Sequence, residues 1–479
     1  MSLRNRAIGG VIWTVVDAFV LKGFLFCTTI LLARWLGPDE FGLVGMISVF
    51  IAIGTSITDS GLSSSLIRTK NADDGDFSTV FVLNLALSFV VYVILFYSAP
   101  YIALFFDQPI LKNIVRVYCL SFIFSAFSAV QLARLIGNMQ FKKITKLNVP
   151  GTIVGTLTGL FLGYFGFGVW AIVGMYLSTQ LVKSASLWIS SNWRPSLHYS
   201  REKARYHYGF GYKLMLSGLI DTVFKNIYNI LIGKFYSAQT LGYYERSKQF
   251  SEYPSSTLTG VIDKVTYPML SQLQDDPIRL EAVYRKLIKV SFFVIAPLML
   301  GTAAVAEPLF LLVLGDEWFP AIVFFQILSL AMMLYPIHSF NLNILKVHGR
   351  SDLFLKLEII KKVVTVVAVV LGFQFGVIGL VWASVFTSFI ALGINMYYSS
   401  KLINYPIFEQ VKDLSSILIL ALITALLMFQ VTNLMHELDR VFQLIVATVI
   451  GVLFYTFVSY FNRRSPLHHA LSLIKSRNL

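Results

Sequence analysis

Leu31-Leu32-Ala33-Arg34-Trp35-Leu36-Gly37-Pro38-Asp39-Glu40-Phe41-Gly42 and Leu231-Ile232-Gly233-Lys234-Phe235-Tyr236-Ser237-Ala238-Gln239-Thr240-Leu241-Gly242 are two readings of one pattern, about 200 residues apart. Each closes an apolar run, places one basic residue, turns, and opens the next run on a glycine. A second pair follows downstream: Phe165-Gly166-Phe167-Gly168-Val169-Trp170-Ala171 and Phe375-Gly376-Val377-Ile378-Gly379-Leu380-Val381-Trp382-Ala383. Two pairs in nearly one register mark an internal duplication. Six apolar runs separate equivalent points. That number is even, so both copies run in the same sense.

The runs need lipid around them. Of the 479 residues, 56% are hydrophobic and 13% charged, about half the charge of a soluble domain. A bilayer core of about 30 Å takes roughly 20 helical residues per crossing. Fourteen runs qualify, at about 9–36, 41–66, 79–105, 113–137, 147–165, 167–189, 209–232, 241–270, 287–306, 320–345, 354–373, 377–400, 414–433 and 441–461; 41–66 and 241–270 are the least apolar. The first run follows Arg4 and Arg6 and carries Asp17 and Lys22, so it reads as a retained helix rather than a cleaved signal. The expected fold is all-α and polytopic. It has two parallel six-helix lobes (1–190 and 209–400) joined by a basic cytoplasmic loop (191–208), then two more helices and a basic tail (401–479). Parallel repeats of this kind place a site at the repeat interface near the midplane.

The net charge of +14 would suggest nucleic acid in a soluble chain. Here the charges sit between apolar runs, so they report orientation, and no nucleic-acid partner is expected. With the N-terminus inside, the outer loops receive Arg34, Lys112, Lys234 and Arg440. The inner loops receive the basic residues around 68–70, 142–146, 194–205, 279–289, 346–350 and 401–412, and those of the tail. Both termini are expected in the cytoplasm. Membrane lipid and anionic ligands are the partners this charge would attract.

Enzyme chemistry finds little support. Cys27 and Cys119 lie in apolar runs, the seven histidines are scattered, and no phosphate-binding G-x-x-x-x-G-K-[ST] loop occurs. No metal site is expected. Gly151, Gly155, Gly159 and Gly163 recur every four residues, as a small-residue packing face would. The ionisable groups inside the runs are the candidates for function, because they are costly there unless they face a partner or a wet cavity. Asp17 and Lys22 lie in the first run, Asp59 with Ser56 and Ser63 in the second, and Asp221 and Lys225, four residues apart, in the seventh. The eighth run is the most polar. Glu245, Lys248, Glu252, Ser256, Thr259 and Asp263 recur at three- and four-residue spacing, with Arg246 and Tyr253 on the flank. One reading is the wall of a polar cavity whose cations face an anionic ligand; the other is an interfacial amphipathic helix. Lys22, Lys225, Arg246, Lys248 and Tyr253 are the substrate-facing candidates. Asp17, Asp59, Asp221, Glu245, Glu252 and Asp263 serve either as ion-coupling groups or in structural charge pairs.

Ile30 to Gly42, after a Gly10-x-x-Trp13 opening, resembles polysaccharide exporters of the Wzx type. So does Leu241-Gly242-Tyr243-Tyr244-Glu245-Arg246, followed by Pro254 and Tyr267-Pro268-Met269-Leu270-Ser271-Gln272-Leu273-Gln274. The colanic and teichuronic acid exporter branch is the nearest in pattern, within the multidrug/oligosaccharidyl-lipid/polysaccharide transporter superfamily. The resemblance implies a bacterial inner-membrane flippase for an undecaprenyl-diphosphate-linked oligosaccharide, with no cofactor and with H+ or Na+ coupling as in some relatives. It also implies polysaccharide polymerase machinery as a partner. Arg246 and Lys248 carry over as the cations for the diphosphate. The second helix offers Asp59 where the lipid II branch has a basic residue. A drug exporter of the same superfamily would have a more acidic cavity, and a membrane polymerase or ligase a large outer loop.

Overall fold

The computed structural model describes residues 20–59, 61–69, 72–196, 199–462 and 466. Among them there is no strand. The α-helices in chain order are α1 Lys22–Asp59, α2 Leu62–Arg68, α3 Asp74–Phe106, α4 Leu111–Tyr118, α5 Leu120–Gly137, α6 Phe141–Tyr164, α7 Val169–Ser190, α8 Arg201–Lys225, α9 Ile227–Phe235 and α10 Ala238–Gln272. There follow α11 Pro277–Ala304, α12 Ala306–Val313, α13 Ala321–Met332, α14 Tyr335–Val347, α15 Ser351–Phe373, α16 Gly376–Ser400, α17 Ile407–Leu434 and α18 Arg440–Phe461.

Local chemistry sets the breaks. α1 bends at Gly37, whose φ of 74° and ψ of 175° favour glycine, and Pro38 opens the second half. The run expected at 320–345 is α13 and α14, with Pro336 in the first turn of α14, where a missing N–H costs nothing. Runs 113–137 and 209–232 are likewise split, around Cys119 and Asn226. Pro254 leaves the 35-residue α10 unbroken.

Among the described residues, eight stretches are long and apolar enough to cross a membrane: 23–68, 74–106, 111–137, 277–304, 321–347, 376–400, 407–434 and 440–461. The first of these contains the expected crossing at 41–66 and the end of the one expected at 9–36, whose residues 9–19 lie outside the described ones. The other five expected crossings are the helices α6, α7, α8, α10 and α15, each 22 residues or longer. At about 1.5 Å per residue, 22 residues reach about 33 Å, enough for a bilayer core. Glycine, hydroxyls or charged residues interrupt the apolar run in each of them. The protein is a polytopic all-α membrane protein.

The repeated turn is also a contact. A Cβ on Gly42 would fall 1.7 Å from the Ala238 carbonyl oxygen, and one on Gly242 would fall 1.9 Å from the Pro38 carbonyl oxygen. The two copies therefore meet by one contact with the roles exchanged, and only glycine allows the approach. The second repeat shows in backbone conformation. Gly166 and Gly376 have φ of 74° and 73°, and the same interval pairs Met139 with Gly349, at 54° and 67°. Gly166 and Gly376 lie at the turns of two helical hairpins, α6–α7 and α15–α16, and Met139 and Gly349 lie just before them. On α6 the expected small-residue face packs on α7: Gly151 and Gly155 lie against Thr179, and Gly159 against Met175.

The chain forms two compact units, Met1–Glu245 and Arg246–Leu479, whose boundary falls inside α10. The first has a core of Leu62, Leu66, Val80, Phe81, Val130, Ala133 and Trp193. In the second, α11, α14, α16 and α17 share a core around Tyr284, Phe292, Phe340 and Tyr405. α18 joins it where Gly451 receives Met428 and the Tyr455 hydroxyl donates to the Phe293 carbonyl at 2.9 Å.

Gly42→Val and Gly242→Val are each expected to cost about 3 kcal/mol or more, since backbone rather than a mobile side chain must yield. Membrane-fraction immunoblots and unfolding in detergent should show both depleted. Gly137→Ala, whose Cβ meets nothing within 4 Å, should behave as wild type. Normal levels of both valine variants would contradict the contact.

Candidate functional site

The most polar helix is built from two faces. Ser247, Ser251, Ser255 and Thr259 recur every four residues and are essentially fully buried. Ser247 donates to the Ala321 carbonyl and Ser255 to that of Met332, each at 2.7 Å, while Ser251 and Thr259 donate back to the carbonyls of Lys248 and Ser255. Small hydroxyls let α10 lie close on α13 without burying an unmet polar group. The charged residues sit beside this stripe. Arg246 is buried, with 8% of its surface exposed. Glu245, Lys248, Glu252 and Tyr253 are half-buried. Glu245 lays its stem against Gly45 of α1. Asp263 accepts from the Ser339 hydroxyl and from the Asn343 amide, the latter at 3.1 Å, so α14 holds this carboxyl. From Glu245 to Asp263 the helix rises about 27 Å, nearly the depth of the hydrocarbon core. Charge along such a length needs water, ligand or partners, because lipid tails offer none. The arrangement can hold an anionic group beside the buried guanidinium, which is the donor best shaped for phosphate oxygens.

The remaining candidates are separate from this face. Asp221 and Lys225 pair at 2.7 Å, with 42% and 73% of their side chains exposed. In water such a pair contributes about 0–1 kcal/mol. One residue along, Thr222 shares a hydrogen bond with Ser56 of α1 at 2.8 Å. Asp17 lies outside the described residues; of Lys22 and Asp59 the backbone of α1 alone is described.

Further polar groupings join residues other than those that the sequence reading singled out. Asp73 and Asp76 form a reciprocal cap on α3, where carboxylates also suit the helix dipole. Lys203 of α8 bonds both carboxylates. The fully buried His207 meets Asp76 through Nε2 at 3.1 Å and the Ser65 hydroxyl through Nδ1 at 2.8 Å. In the neutral ring, Nε2 then donates and Nδ1 accepts. Lys203, followed by the Asp76 backbone N–H, holds the Asp73 carboxyl well below the usual carboxylate range. A lowered folded-state value contributes stability above the ordinary pKa of about 4, lost as pH falls through the folded value.

In the second unit, Arg285 bonds Asp413 at 2.5 Å and Glu409 at 3.0 Å. Lys289 and the Tyr405 hydroxyl also meet Asp413, at 3.1 and 2.8 Å. Within the crossings, His338 of α14 meets Ser388 and Asn395 of α16, each at 3.1 Å, and Lys361 pairs with Glu358 at 2.5 Å. The four-residue spacings 285/289 and 409/413 were a usable signal for the second grouping. The first joins residues about 130 apart, and no local pattern links them.

Residues 31–323 match a family model described as "Polysaccharide biosynthesis protein". Similar chains include the Lipopolysaccharide biosynthesis protein WzxC of Escherichia coli, 25% identical, covering 79% of this chain and 78% of that one. The Succinoglycan biosynthesis transport protein ExoT of Rhizobium meliloti is 24% identical, covering 97% and 95%. The Teichuronic acid biosynthesis protein TuaB of Bacillus subtilis is 22% identical, covering 74% and 73%. Among solved structures, the Lipid II flippase MurJ in its inward closed conformation superposes with a TM-score of 0.73 at 16% identity, over 95% of this chain and 99% of that one. An inward-facing multidrug resistance MATE transporter gives 0.61 at 16% identity, over 82% and 98%. These likenesses carry the fold.

Asp76→Ala removes half of the cap and the carboxylate that Lys203 and His207 share. It should lower unfolding free energy by about 2 kcal/mol, seen as a lower melting midpoint in detergent at pH 7. The wild-type midpoint should itself begin to fall below about pH 4, where the unfolded chain takes up the Asp73 proton before the folded chain does. An unchanged midpoint would show that the cluster holds nothing.

Proposed function

We propose, from the premise that this chain belongs to the polysaccharide biosynthesis protein family, that it is a flippase for a lipid-linked oligosaccharide. It moves undecaprenyl-diphosphate-linked repeat units from the cytoplasmic to the periplasmic leaflet of a bacterial inner membrane by alternating access. The observation that carries this reading is the charge along α10, with the Arg246 guanidinium buried and Lys248 on another side of the helix. A diphosphate is the most anionic part of such a substrate, and a guanidinium away from bulk water binds phosphate oxygens through paired charge-assisted hydrogen bonds. Tyr253 offers a ring on which a sugar can rest. The relatives named for polysaccharide biosynthesis and transport support the cargo class.

The protein works as a transporter and not as an enzyme. Coupling to H+ or Na+ would use acids within the crossings: Asp263, which already has two donors, or Glu358 beside Lys361. The flipped unit is the substrate of polymerase machinery on the far side. The charge pattern supports both termini in the cytoplasm. Multidrug export is the second reading, favoured by the MATE likeness in fold. The cations on α10 weigh against it, because export of cationic drugs calls for an acidic lining.

Arg246→Ala and Lys248→Ala should each abolish surface polysaccharide, measured on whole cells by sugar-specific staining, while membrane levels stay normal. Wild-type polymer from both variants would refute the anion-binding role. Drug sensitivity unchanged on deletion of the gene would separate the two readings. A cysteine in place of Arg201 should resist an impermeant thiol reagent in intact cells; rapid labelling would invert the orientation.

A further inference from the structure

The first turns of α8 carry one face of ordered chemistry. Arg201, Arg205, Tyr208 and Tyr212 follow one another at four-, three- and four-residue spacing, so they share a side of the helix. All four are exposed, and the two rings stack at 6.1 Å. Ala204 and His207, on another side, are buried, and Lys203 is tied to Asp73 and Asp76. The orientation of these turns is therefore fixed. The first three members of the stripe, with Tyr199 and with Leu83 of α3, border a hollow of about 1040 Å³. Glu202 is the one acid among the described residues that line it.

The second unit supplies a comparison. α17, like α8, follows the six crossings of one lobe. Each is tied by two residues four apart to the third crossing of that lobe: Lys203 and His207 meet Asp76 of α3, and Glu409 and Asp413 meet Arg285 of α11. The polarity is exchanged and the geometry is the same. Aligned on these ties, α17 has Ile407, Val411, Leu414 and Leu418 where α8 has Arg201, Arg205, Tyr208 and Tyr212. A helix start so tied works with an apolar face, so the tie does not call for the arginines and tyrosines of α8.

Depth gives those residues a meaning. The crossing is expected to begin near 209, and each residue adds about 1.5 Å along the axis. The tyrosines then stand at the edge of the hydrocarbon, where a ring with one wet end is at home, and the arginines one to two turns farther out, among headgroups. Leu83 lies a turn inside the crossing expected at 79–105. A phospholipid has the same order: phosphate, ester carbonyls, chain. Two guanidinia against a single carboxylate favour a headgroup of net negative charge over a zwitterionic one, whose ammonium they would repel.

We infer that this face of α8 binds an anionic phospholipid of the leaflet that the charge pattern assigns to the cytoplasm. Arg201 and Arg205 donate to its phosphate oxygens, Tyr208 meets the ester region, and Leu83 meets the first carbons of a chain. The inference does not rest on what α10 transports.

The test places the full chain in phosphatidylcholine nanodiscs with and without phosphatidylglycerol. Native mass spectrometry counts retained lipid, and melting follows stability. Wild type should retain phosphatidylglycerol in preference to phosphatidylcholine and melt higher in its presence. The double variant Arg201→Gln, Arg205→Gln should retain it about tenfold more weakly or worse and lose the shift. Lys142→Gln with Lys143→Gln, an equal loss of charge on the same side of the membrane but outside the hollow, should behave as wild type. Should the arginine double variant fail to insert, Arg205→Gln alone decides, with retention again expected to fall. Equal loss in the arginine and lysine variants would show net charge at work and not this face. That outcome, or no preference for phosphatidylglycerol in wild type, overturns the inference. So does displacement of phosphatidylglycerol by an equal fraction of a polyprenyl phosphate, which would give the face to the cargo.

Discussion

The carbonyl oxygens of Ala238 and Pro38 occupy the space where side chains at Gly42 and Gly242 would stand. Helices in lipid gain little from apolar burial against one another, because the tails are as apolar as leucine. What holds them is close approach, and close approach between backbones requires an absent side chain. The first half of α1, the bend at Gly37 and the start of α10 are fixed relative to each other through this crossing. The depth of the first polar residues of α10 follows from it: Glu245 is three residues past Gly242 and rests on Gly45, one turn past Gly42.

That crossing could be read from the sequence, because its two halves are copies of one pattern. The turns at Gly166 and Gly376 were legible for the same reason, and the matching φ values follow from matching requirements of a short helical hairpin. The pairing of Asp221 with Lys225 was legible from four-residue spacing alone. The division of α10 into a packing face and a charged face was only half legible. Its periodicity shows polar residues on one side, but the sequence does not say that Ser247 and Ser255 bond carbonyls of α13 while Lys248 and Glu252 stay half-open. Hydroxyls and charges look alike on a helical wheel. They differ in that a hydroxyl can satisfy itself against backbone and a charge cannot.

The ion clusters were illegible for a further reason. Asp73, Asp76, Lys203 and His207 each read as ordinary loop polarity, and the Asp73-x-x-Asp76 pattern alone signals a helix start. What joins them is the return of α8 to the beginning of α3, a fact of tertiary packing. Burial then changes their meaning. An exposed lysine–aspartate pair is nearly neutral in energy, but here His207 is sealed beneath it, and a sealed imidazole needs both of its partners.

Duplication also explains how one frame carries unlike chemistry. Equivalent positions inherit the same backbone and much the same burial, so a buried amide at one position sets an expectation for its partner. Asn341 meets that expectation through Tyr284 and Ser399. Gln131, which the interval from Met139 to Gly349 pairs with it, does not: neither end of its buried amide has a protein partner. Its neighbours diverge in the same direction: Arg134 stands where the second copy has Ile344, and Lys143 where it has Leu353. Arg134 puts a guanidinium where the second copy is apolar, and its stacking over Phe77 and Trp193 offsets part of the cost of taking a charge out of water. A shared frame thus fixes where a side chain stands and leaves its chemistry free to differ between the two copies.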